Sequence, residues 1–313
     1  QGIVGADKLH DLGFEHAANL LHQDHLREGK ISFLETGLLY ANALTAVSET
    51  YAKELQTAEF GMGLEGLLRA RSDSLVGIVN GVDYDVWDPR HDALIPARYT
   101  PKDLKGKRVC RDALLAKYGI SAGPRVPVFG IVSRLTAQKG FELVAEAMPV
   151  VLHREDVRFV VLGSGEERYE RFFKQLQQSF PDKVAYATGY DESLSHSIEA
   201  GADLFLMPSR YEPCGLNQMY SLRYGTVPIV RRTGGLADTV EEWDGRAGTG
   251  TGFLFDAFRG DAFLNAVARA LGAWRDEKAW AKLVQNGMAQ DFSWEKQVRR
   301  YEALYARVLG RGA

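Results

Sequence analysis

Cysteine is scarce in this sequence, whose 313 residues include two, Cys110 and Cys214. The two are far apart and stand in different local settings, so we expect both thiols to be free in a reducing compartment. No apolar run reaches the ~18 residues that a bilayer-spanning helix needs. The first residues lack the charged and apolar regions of a secretory signal. These absences argue against a disulfide-stabilised secreted domain and against a membrane protein.

An excess of either charge is also missing, because 38 Lys and Arg face 41 Asp and Glu, for a net charge of −3. This balance gives no reason to expect a nucleic acid or an anionic membrane as a partner. Hydrophobic residues make up 45% and charged residues 25% of the chain, which is ordinary for a globular enzyme. The length allows two domains of roughly 100–200 residues each.

Four histidines, His10, His16, His22 and His25, lie within residues 1–30. Their spacing is compatible with a metal site, but no cysteine and no His-x-Glu motif accompanies them, and apolar residues interleave. We therefore predict a loop and a short helix with scattered surface histidines, and no metal.

Strands and helices alternate regularly after this segment. Strands are predicted at 43–47, 75–79, 126–132, 158–162, 184–188, 204–207 and 227–230, and the main helices at 105–118, 141–154, 166–179, 192–200, 216–224, 262–274, 280–290 and 294–309. The later strands are continuous runs of Val, Ile and Leu, which predicts an α/β fold with a parallel sheet covered on both faces. Residues 82–100 are rich in Pro, Asp and aromatics without periodicity, so we interpret them as the connection between two domains.

Two strand-to-helix turns contain most of the candidate ligand-binding residues. The stretch 210–217 follows strand 204–207, and the stretch 231–238 follows strand 227–230. Both turns face the carboxyl ends of their strands, which is the edge where ligands bind in open α/β sheets. Helix N-termini at this edge suit phosphate, whereas the carboxylate of Glu212 is predicted to hold sugar hydroxyls.

Two cations, Arg134 and Lys139, lie in one loop between a strand and a helix. Both can project toward the same edge as Glu212, where they would bind a diphosphate and neutralise a leaving phosphate. The alternative is a pair of solvated surface charges. The position in a βα loop, with Gly140 opening the helix, favours the functional interpretation.

Other turns give weaker signals. Tyr190 follows Gly189 at the end of its strand, where it could stack on a nucleobase or could equally be a half-buried core tyrosine. The Gly163-Ser-Gly165 run lacks the third glycine of a dinucleotide fingerprint, so it is interpreted as a tight turn. Cys214 has no evident base beside it, which favours a structural or ligand-lining thiol over a nucleophile. The run 233–236 lets backbone approach a ligand closely, but such glycines also form plain turns.

Three motifs together resemble one enzyme family. They are Ser-Arg-Leu-Thr-Ala-Gln-Lys-Gly at 133–140, Pro-Ser-Arg-Tyr-Glu-Pro-Cys-Gly-Leu at 208–216 and Arg-Arg-Thr-Gly-Gly-Leu-Ala-Asp-Thr-Val at 231–240, with shorter matches at 45–48, 63–67, 80–83 and 291–294. The chain closely resembles bacterial glycogen synthases and plant starch synthases. These are ADP-glucose-dependent, retaining glucosyltransferases of the GT-B fold, which has two Rossmann-like domains. The resemblance spans essentially the whole chain.

The resemblance implies a role for each matched residue. Arg134 and Lys139 would grip the diphosphate of ADP-glucose, Glu212 would bind hydroxyls of the donor glucose, and Tyr190 would stack on adenine beside Gly189. The remaining pocket would be lined by Cys214, Gly215, Leu216, Asn217, Thr233, Gly234 and Gly235. Many related GT-B enzymes carry a second Glu where Tyr220 stands here. We expect no metal and no cofactor, because the two cations would do the phosphate work and no carboxylate cluster is available for Mg²⁺.

The resemblance also implies a domain division. Residues 1–81 would be the C-terminal remnant of the first, acceptor-side starch synthase catalytic domain, and 82–292 the nucleotide-sugar-binding glycosyltransferase domain. Residues 293–313 would form a helix that crosses back to the first domain. Family members are longer and begin with a Lys-Thr-Gly-Gly-Leu loop. Their cleft histidine would fall just upstream of Gln1, so we expect an N-terminally truncated chain.

The expected reaction is transfer of glucose from ADP-glucose to the non-reducing end of an α-1,4-glucan, glycogen or starch, with retention. The alternative is a catalytically incomplete fragment that acts as an ADP-sugar-binding or glucan-associated module. A bacterial cytoplasm is the expected compartment, with a plastid possible for a plant protein, because no transit-like segment is present.

Overall fold

The computed structural model describes residues 2–310. The expectation about Gln1, and the last three residues of the predicted C-terminal helix segment, lie outside this range. The strands are β1 (Ile3–Gly5), β2 (Lys30–Ser32), β3 (Leu44–Ala46), β4 (Leu75–Gly77), β5 (Val128–Val132), β6 (Arg158–Leu162), β7 (Val184–Ala187), β8 (Leu204–Met207), β9 (Val227–Arg231) and β10 (Phe253–Phe255). Strands β1, β2 and β10 are additions to the predicted set.

The α-helices lie between and after these strands. They are α1 (Lys8–Asp11), α2 (Gln23–Arg27), α3 (Phe33–Tyr40), α4 (Glu49–Glu54), α5 (Glu65–Ala70), α6 (Lys105–Ala116), α7 (Phe141–Arg154), α8 (Glu167–Ser179), α9 (Glu192–Gly201), α10 (Asn217–Tyr224), α11 (Gly234–Thr239), α12 (Gly260–Trp274), α13 (Glu277–Met288) and α14 (Trp294–Val308). Short 3₁₀ turns occupy Glu15–Leu20, Ser72–Ser74 and Ala137–Lys139. Within residues 2–310, no helix combines the length and the apolar character that crossing a membrane requires.

Six strands form one parallel sheet in the order β10-β9-β8-β5-β6-β7. From β5 the chain first builds outward through β6 to β7, then returns to the other side of β5 and builds through β8 to β10. The strand order therefore reverses between β5 and β8. In open α/β sheets a crevice forms at this reversal, outside the carboxyl ends of the two strands.

Apolar side chains fill both faces of this sheet, as the continuous Val, Ile and Leu runs predict. In β6, Phe159 and Val161 join the core under α7, α8 and α12, whereas Val160 joins the core under α6 and α9. All three side chains are fully buried. The alternation of faces along a strand explains why neighbouring residues serve two cores.

Residues 2–77 form a smaller region with two short sheets. Strand β1 pairs antiparallel with β2, and β3 pairs parallel with β4. Ser48 begins α4 as predicted, since its hydroxyl accepts the backbone N–H of Tyr51 at 2.8 Å. A compact cluster of Leu44, Leu64 and Leu68 makes up the buried core beside β3. Residues 2–310 therefore have an α/β architecture, with one six-stranded parallel sheet and two two-stranded sheets in the smaller region.

The segment 82–100, interpreted from the sequence as a connection, is packed firmly against the large sheet. Ile95 and Tyr99 are buried in the main core. The Trp87 ring stacks on other aromatic rings, and Asp92 is 4% exposed. Side-chain packing therefore fixes this segment, although it lacks regular secondary structure.

The two predicted domain boundaries lie side by side. Val82 donates its backbone N–H to the carbonyl of Phe292 at 2.7 Å. Helix α14 then runs along the first region, where Arg300 donates to a carboxylate oxygen of Glu49 at 2.6 Å and to the carbonyl of Gly77 at 2.9 Å. The division into domains stays a prediction, but the chain does pass between the two regions at neighbouring points.

Candidate functional site

A cavity of about 240 Å³ lies at the reversal between β5 and β8. Three loops follow adjacent strands here: 133–140 after β5, 208–216 after β8, and 232–233 after β9. The cavity is lined by Ile131, Val132, Ser133, Lys139, Phe141, Leu206, Met207, Pro208, Ser209, Glu212, Gly215, Leu216 and Asn217. The fold thus brings the predicted acid and one of the predicted cations into a single cavity.

Glu212 and Lys139 form an ion pair in this cavity. The Lys139 ammonium donates to Oε2 of Glu212 at 2.6 Å, and the Ser209 hydroxyl donates to the same oxygen at 3.0 Å. Glu212 is 5% exposed, and a carboxylate this buried requires a charged or hydrogen-bonding partner. Both contacts engage Oε2, and no hydrogen bond within residues 2–310 engages Oε1.

Two loops of the site hold each other in place. Gly140 has a φ of +73°, and a Cβ there would lie 2.0 Å from the carbonyl oxygen of Pro208, so only glycine fits this approach. Arg210 donates its backbone N–H to the Gln138 carbonyl at 2.8 Å, and the Gln138 side chain donates to the Tyr211 carbonyl at 3.3 Å. These bonds hold the loop of Lys139 against the loop of Glu212.

The glycines that begin α11 pack on the backbone of the Glu212 loop. A Cβ on Gly234 would lie 2.0 Å from the Glu212 carbonyl oxygen, and a Cβ on Gly235 would lie 1.9 Å from that of Cys214. The Gly235 N–H donates to the Glu212 carbonyl at 3.0 Å. Thr233, just before them, is 1% exposed. Close backbone contact between the two loops explains why glycine is needed at both positions.

The start of α11 already binds a carboxylate from the first region. Glu54 accepts the Thr233 hydroxyl at 2.8 Å and the Gly234 backbone N–H at 3.1 and 3.2 Å. The resemblance implies that Gly234 lines the donor pocket, and in the structure its amide donates to the Glu54 carboxylate. This contact joins the two regions of the chain directly at the site.

The Cys214 thiol is buried and free. It packs in a cluster with Val79, Val82 and Met219. Burial, with smaller contributions from the charges of Glu212 and others, raises the pKa of this thiol to about 11. A thiol with such a pKa is protonated near neutral pH, which supports a structural or lining role rather than a nucleophilic one.

The residues after Cys214 lie at the mouth of the cavity. Gly215, Leu216 and Asn217 all line it, and Leu216 is 36% exposed. The Asn217 side chain donates to the Val132 carbonyl at the end of β5, at 3.1 Å. This bond ties the start of α10 to the neighbouring strand.

Seven predicted residues do not line this cavity: Arg134, Gly189, Tyr190, Cys214, Thr233, Gly234 and Gly235. Two of them, Arg134 and Tyr190, have exposed side chains. The Arg134 side chain is exposed and has no ion-pair partner within residues 2–310. Tyr190 is 80% exposed, so the alternative of a half-buried core tyrosine is wrong. It follows Gly189 after β7, which is separated from β5 by β6. The structure therefore places both at the carboxyl edge without bringing either to Glu212.

The Gly163-Ser-Gly165 turn packs against the Arg134 loop. A Cβ on Gly163 would lie 2.1 Å from the Ser133 carbonyl oxygen, and one on Gly165 would lie 2.3 Å from that of Leu135. These contacts account for both glycines by packing.

The Tyr220 ring, at the position where many related enzymes carry a Glu, stacks on Trp87 with ring centroids 4.0 Å apart. Burial raises the pKa of the Tyr220 hydroxyl to about 12.

Two residues that contact the site were missed in the sequence. Ser209 was part of a quoted motif but was given no role, and only its hydrogen bond to Glu212 identifies it. Glu54 lies far from Thr233 in sequence, so no local pattern could have found it.

Comparison with known proteins agrees with this architecture. Residues 119–287 match the family described as Glycosyl transferases group 1, and residues 1–70 match the Starch synthase catalytic domain. The chain is 55% identical over 283 residues to a glycogen synthase of Anaeromyxobacter dehalogenans strain 2CP-1, covering 90% of this chain and 59% of that protein. It is 52% identical over 305 residues to a glycogen synthase of Myxococcus xanthus, covering 97% and 63%.

A solved structure gives the same result. The catalytic domain of starch synthase IV from Arabidopsis thaliana, bound to ADP and acarbose, matches with a TM-score of 0.92 and 38% identity, covering 99% of this chain and 65% of that one. The chain spans about three fifths of the length of the curated relatives named above. The parallel sheet and this structural match together define the GT-B fold. The family match covers more than half of the chain, which therefore belongs to the Glycosyl transferases group 1 family.

Proposed function

We propose that this chain carries the donor-binding half of a glucan synthase. The enzyme would transfer glucose from ADP-glucose to the non-reducing 4-hydroxyl of an α-1,4-glucan, glycogen or starch, with retention of configuration. The observation that carries the proposal is the Lys139–Glu212 ion pair inside a cavity at the strand-order reversal. Relatives named glycogen synthase, and a starch synthase bound to ADP and acarbose, support this choice of donor and acceptor.

Glu212 would bind the donor sugar through the oxygen that the protein leaves unengaged. Its Oε2 is held by Lys139 and Ser209, which fixes the plane of the carboxylate. Its Oε1 is then available to accept one or two hydroxyl hydrogens of glucose. A preoriented acceptor of this kind positions the anomeric carbon for attack without further reorganisation.

Lys139 would serve the diphosphate. Its side chain is 19% exposed, so one face of the ammonium reaches the cavity while another contacts Glu212. An ammonium has three donors, and one is used here. A donor phosphate would accept another, and the positive charge would stabilise the diphosphate as it leaves. Arg134, exposed and unpaired, would join only after the donor has bound, and Tyr190 would cover the adenine.

Cys214 offers no thiolate for covalent catalysis near neutral pH, because burial raises the pKa of its thiol to about 11. Attack on the same face, assisted by the leaving phosphate, is what the family resemblance implies. We propose that no metal takes part, since Glu212 is the one carboxylate among the described residues that line the cavity. A Mg²⁺ ion bound by protein prefers several oxygen ligands. The bacterial relatives fit the expected cytoplasmic location, which stays a prediction.

The test uses the 313-residue chain and two parallel measurements. ADP-glucose binding is followed by calorimetry, with UDP-glucose as the matched control, and ADP release is followed with glycogen as acceptor. We expect ADP-glucose to bind in preference to UDP-glucose.

Release of ADP matched by lengthening of the glucan would establish transfer by this chain. Binding without release would reduce the chain to an ADP-sugar-binding module. A folded chain that binds neither nucleotide sugar would refute the proposed donor site.

A further inference from the structure

Two histidines and a buried carboxylate meet in the first region of the chain. His22 lies just before α2, His25 lies within α2, and Glu35 lies in the first turn of α3. One side-chain donor atom from each residue can be chosen so that all three lie within 4.8 Å of one another. The cluster is separate from the cavity at Glu212, since none of its members lines that cavity.

The carboxylate of Glu35 is buried but has few hydrogen-bond or ion-pair partners. Glu35 is 6% exposed, and no Lys or Arg within residues 2–310 pairs with it. Its Oε2 lies 2.7 Å from Nδ1 of His25, but this contact lacks hydrogen-bond geometry and leaves the oxygen without a hydrogen-bond partner. Nδ1 of His22 is likewise buried and unpartnered. A buried carboxylate in this state is costly unless another group satisfies it.

We propose that His22, His25 and Glu35 bind a divalent transition-metal ion, with Zn²⁺ the preferred ion. Two imidazole nitrogens and one carboxylate oxygen form a known ligand set for Zn²⁺. Imidazole nitrogen favours Zn²⁺, Cu²⁺ or Ni²⁺ over Mg²⁺ and Ca²⁺, which prefer oxygen.

The spacing of the donors fits such an ion. Ligands at about 2.0–2.1 Å from a tetrahedral Zn²⁺ lie roughly 3.3 Å from one another. The measured separations are 2.7 Å from His25 Nδ1 to Glu35 Oε2 and 3.8 Å from His22 Nε2 to the other carboxylate oxygen, Oε1. With one donor atom from each residue, all three atoms lie within 4.8 Å of one another. The histidine side chains are 37% and 32% exposed, so water can reach the fourth position. Small side-chain rotations would complete the site.

The ion would tether a segment that little else holds. Neither the turn Glu15–Leu20 nor helix α2 buries a residue, and Phe14 and Leu20 are about half exposed. Helix α3, in contrast, begins with a capped first turn in which Ser32 accepts the Glu35 N–H. A metal bridge from α2 to α3 would therefore stabilise the structure rather than take part in glucose transfer.

This proposal revises the prediction of scattered surface histidines without a metal. That prediction rested on the lack of a cysteine and of a His-x-Glu motif near the histidines. The missing ligand, Glu35, stands ten residues beyond His25 on another helix. Only the folded chain brings it to His22 and His25.

The test is a Zn²⁺ titration of the whole chain after treatment with a chelator, followed by calorimetry. We expect one equivalent to bind with micromolar or tighter affinity, and both Glu35→Gln and His25→Ala to weaken binding at least tenfold. His16→Ala is the matched control, because His16 is an exposed histidine of the same segment, and it should leave binding unchanged.

A second measurement uses the native chain alone, so it does not depend on how the variants fold. Co²⁺ in place of Zn²⁺ should give the visible absorption of a tetrahedral ion, and Zn²⁺ should slow proteolysis between residues 15 and 29. The proposal is overturned if the native chain binds no Zn²⁺. Equal binding by the native chain and the two ligand variants would mean adventitious binding elsewhere, and would overturn it too.

Discussion

The large sheet and the first region of this chain are held together in different ways. In the sheet, four of the five residues of β6 and three of the four residues of β8 are buried, and helices cover both faces. In the first region, three leucines form the buried cluster beside β3, while Leu12, Phe14 and Leu20 stay about half exposed. Apolar burial stabilises by roughly 25 cal/mol per Å², so the sheet can fix side chains that the first region cannot.

The comparison explains how the site is divided. Lys139 and Glu212 each lie in a loop that runs from a strand of the sheet to the following helix. The first region contributes the carboxylate of Glu54, which accepts a hydrogen bond from Thr233 at the start of α11. Thr50, also in the first region, donates to Asp238 within α11. The sheet therefore supplies the rigid part of the site, and polar contacts attach the first region to it.

The largest difference should appear when a core side chain is removed from the sheet. Phe159 is fully buried, with its ring 6.2 Å from that of Phe173. Phe159→Ala should lower the free energy of unfolding by about 3–5 kcal/mol. Leu20→Ala, at a side chain 49% exposed, should change it by less than about 0.5 kcal/mol. Urea unfolding followed by tryptophan fluorescence measures both, and similar losses would show that the two regions do not differ as described.

Loss of the Glu212 charge should act on ligand binding more than on folding. Glu212→Gln should weaken ADP-glucose binding about 10- to 100-fold, because hydrogen bonds to a charged group contribute about 1.5–3 kcal/mol each. Calorimetry gives the affinity, and thermal unfolding checks the fold. Glu167→Gln, at a side chain 85% exposed on α8, is the control and should change neither. Unaltered affinity in Glu212→Gln would remove Glu212 from the donor site.

The contact between the two regions can be broken at Glu54. Glu54→Ala removes the acceptor of the Thr233 hydroxyl and of the Gly234 amide. It should lower the free energy of unfolding by about 1–3 kcal/mol. Hydrogen exchange at Gly234 should become faster, which identifies the lost bond directly. Glu59→Ala, on an exposed residue without a hydrogen bond within residues 2–310, should leave that exchange rate as it is.

The same comparison shows what the sequence could predict. The bounds of β6 and β8 agree with prediction, since a continuous apolar run between turns is a local signal. Strand β10, three residues long at Phe253–Phe255, was missed because so short a run has no distinct period. In the first region, β1 and β2 were missed for the same reason. Local patterns are therefore sufficient where a strand is long enough to show a continuous apolar run.

Local sequence patterns likewise predict some contacts of the site and not others. Glu212 and Lys139 were placed correctly at one sheet edge, because carboxyl ends of parallel strands meet there. The contact of Glu54 with Thr233 joins elements that are distant in the sequence. The cluster of Glu35 with His22 and His25 likewise joins separate helices. Such pairings have no signature in a single sequence. The roles of all the site residues stay predictions, those of Glu212 and Lys139 as well as those of Arg134 and Tyr190.

The helices that cover the sheet also bury two titratable side chains, Glu199 in α9 and Lys107 in α6, which gives the stability of this region a pH dependence. Glu199 is 1% exposed and accepts the Ser221 hydroxyl at 2.7 Å. Burial raises the pKa of Glu199 to about 8, against smaller lowering by Ser221 and Lys107. Burial also lowers the pKa of the Lys107 ammonium to about 8. Burial thus shifts both pKa values in the direction that favours the neutral form, relative to the unfolded chain.

The sign of the effect follows from proton binding. Between about pH 4.5 and pH 8 the unfolded chain has released the Glu199 proton while the folded chain keeps it, so the stability from this group falls as pH rises. Glu199→Gln keeps an acceptor for Ser221 and removes the titration. Urea unfolding at several pH values should therefore show a weaker decline toward pH 8 in Glu199→Gln than in the native chain. The exposed variant Glu167→Gln should retain the native decline, and an identical decline in Glu199→Gln would mean that Glu199 is ionised in the folded sheet.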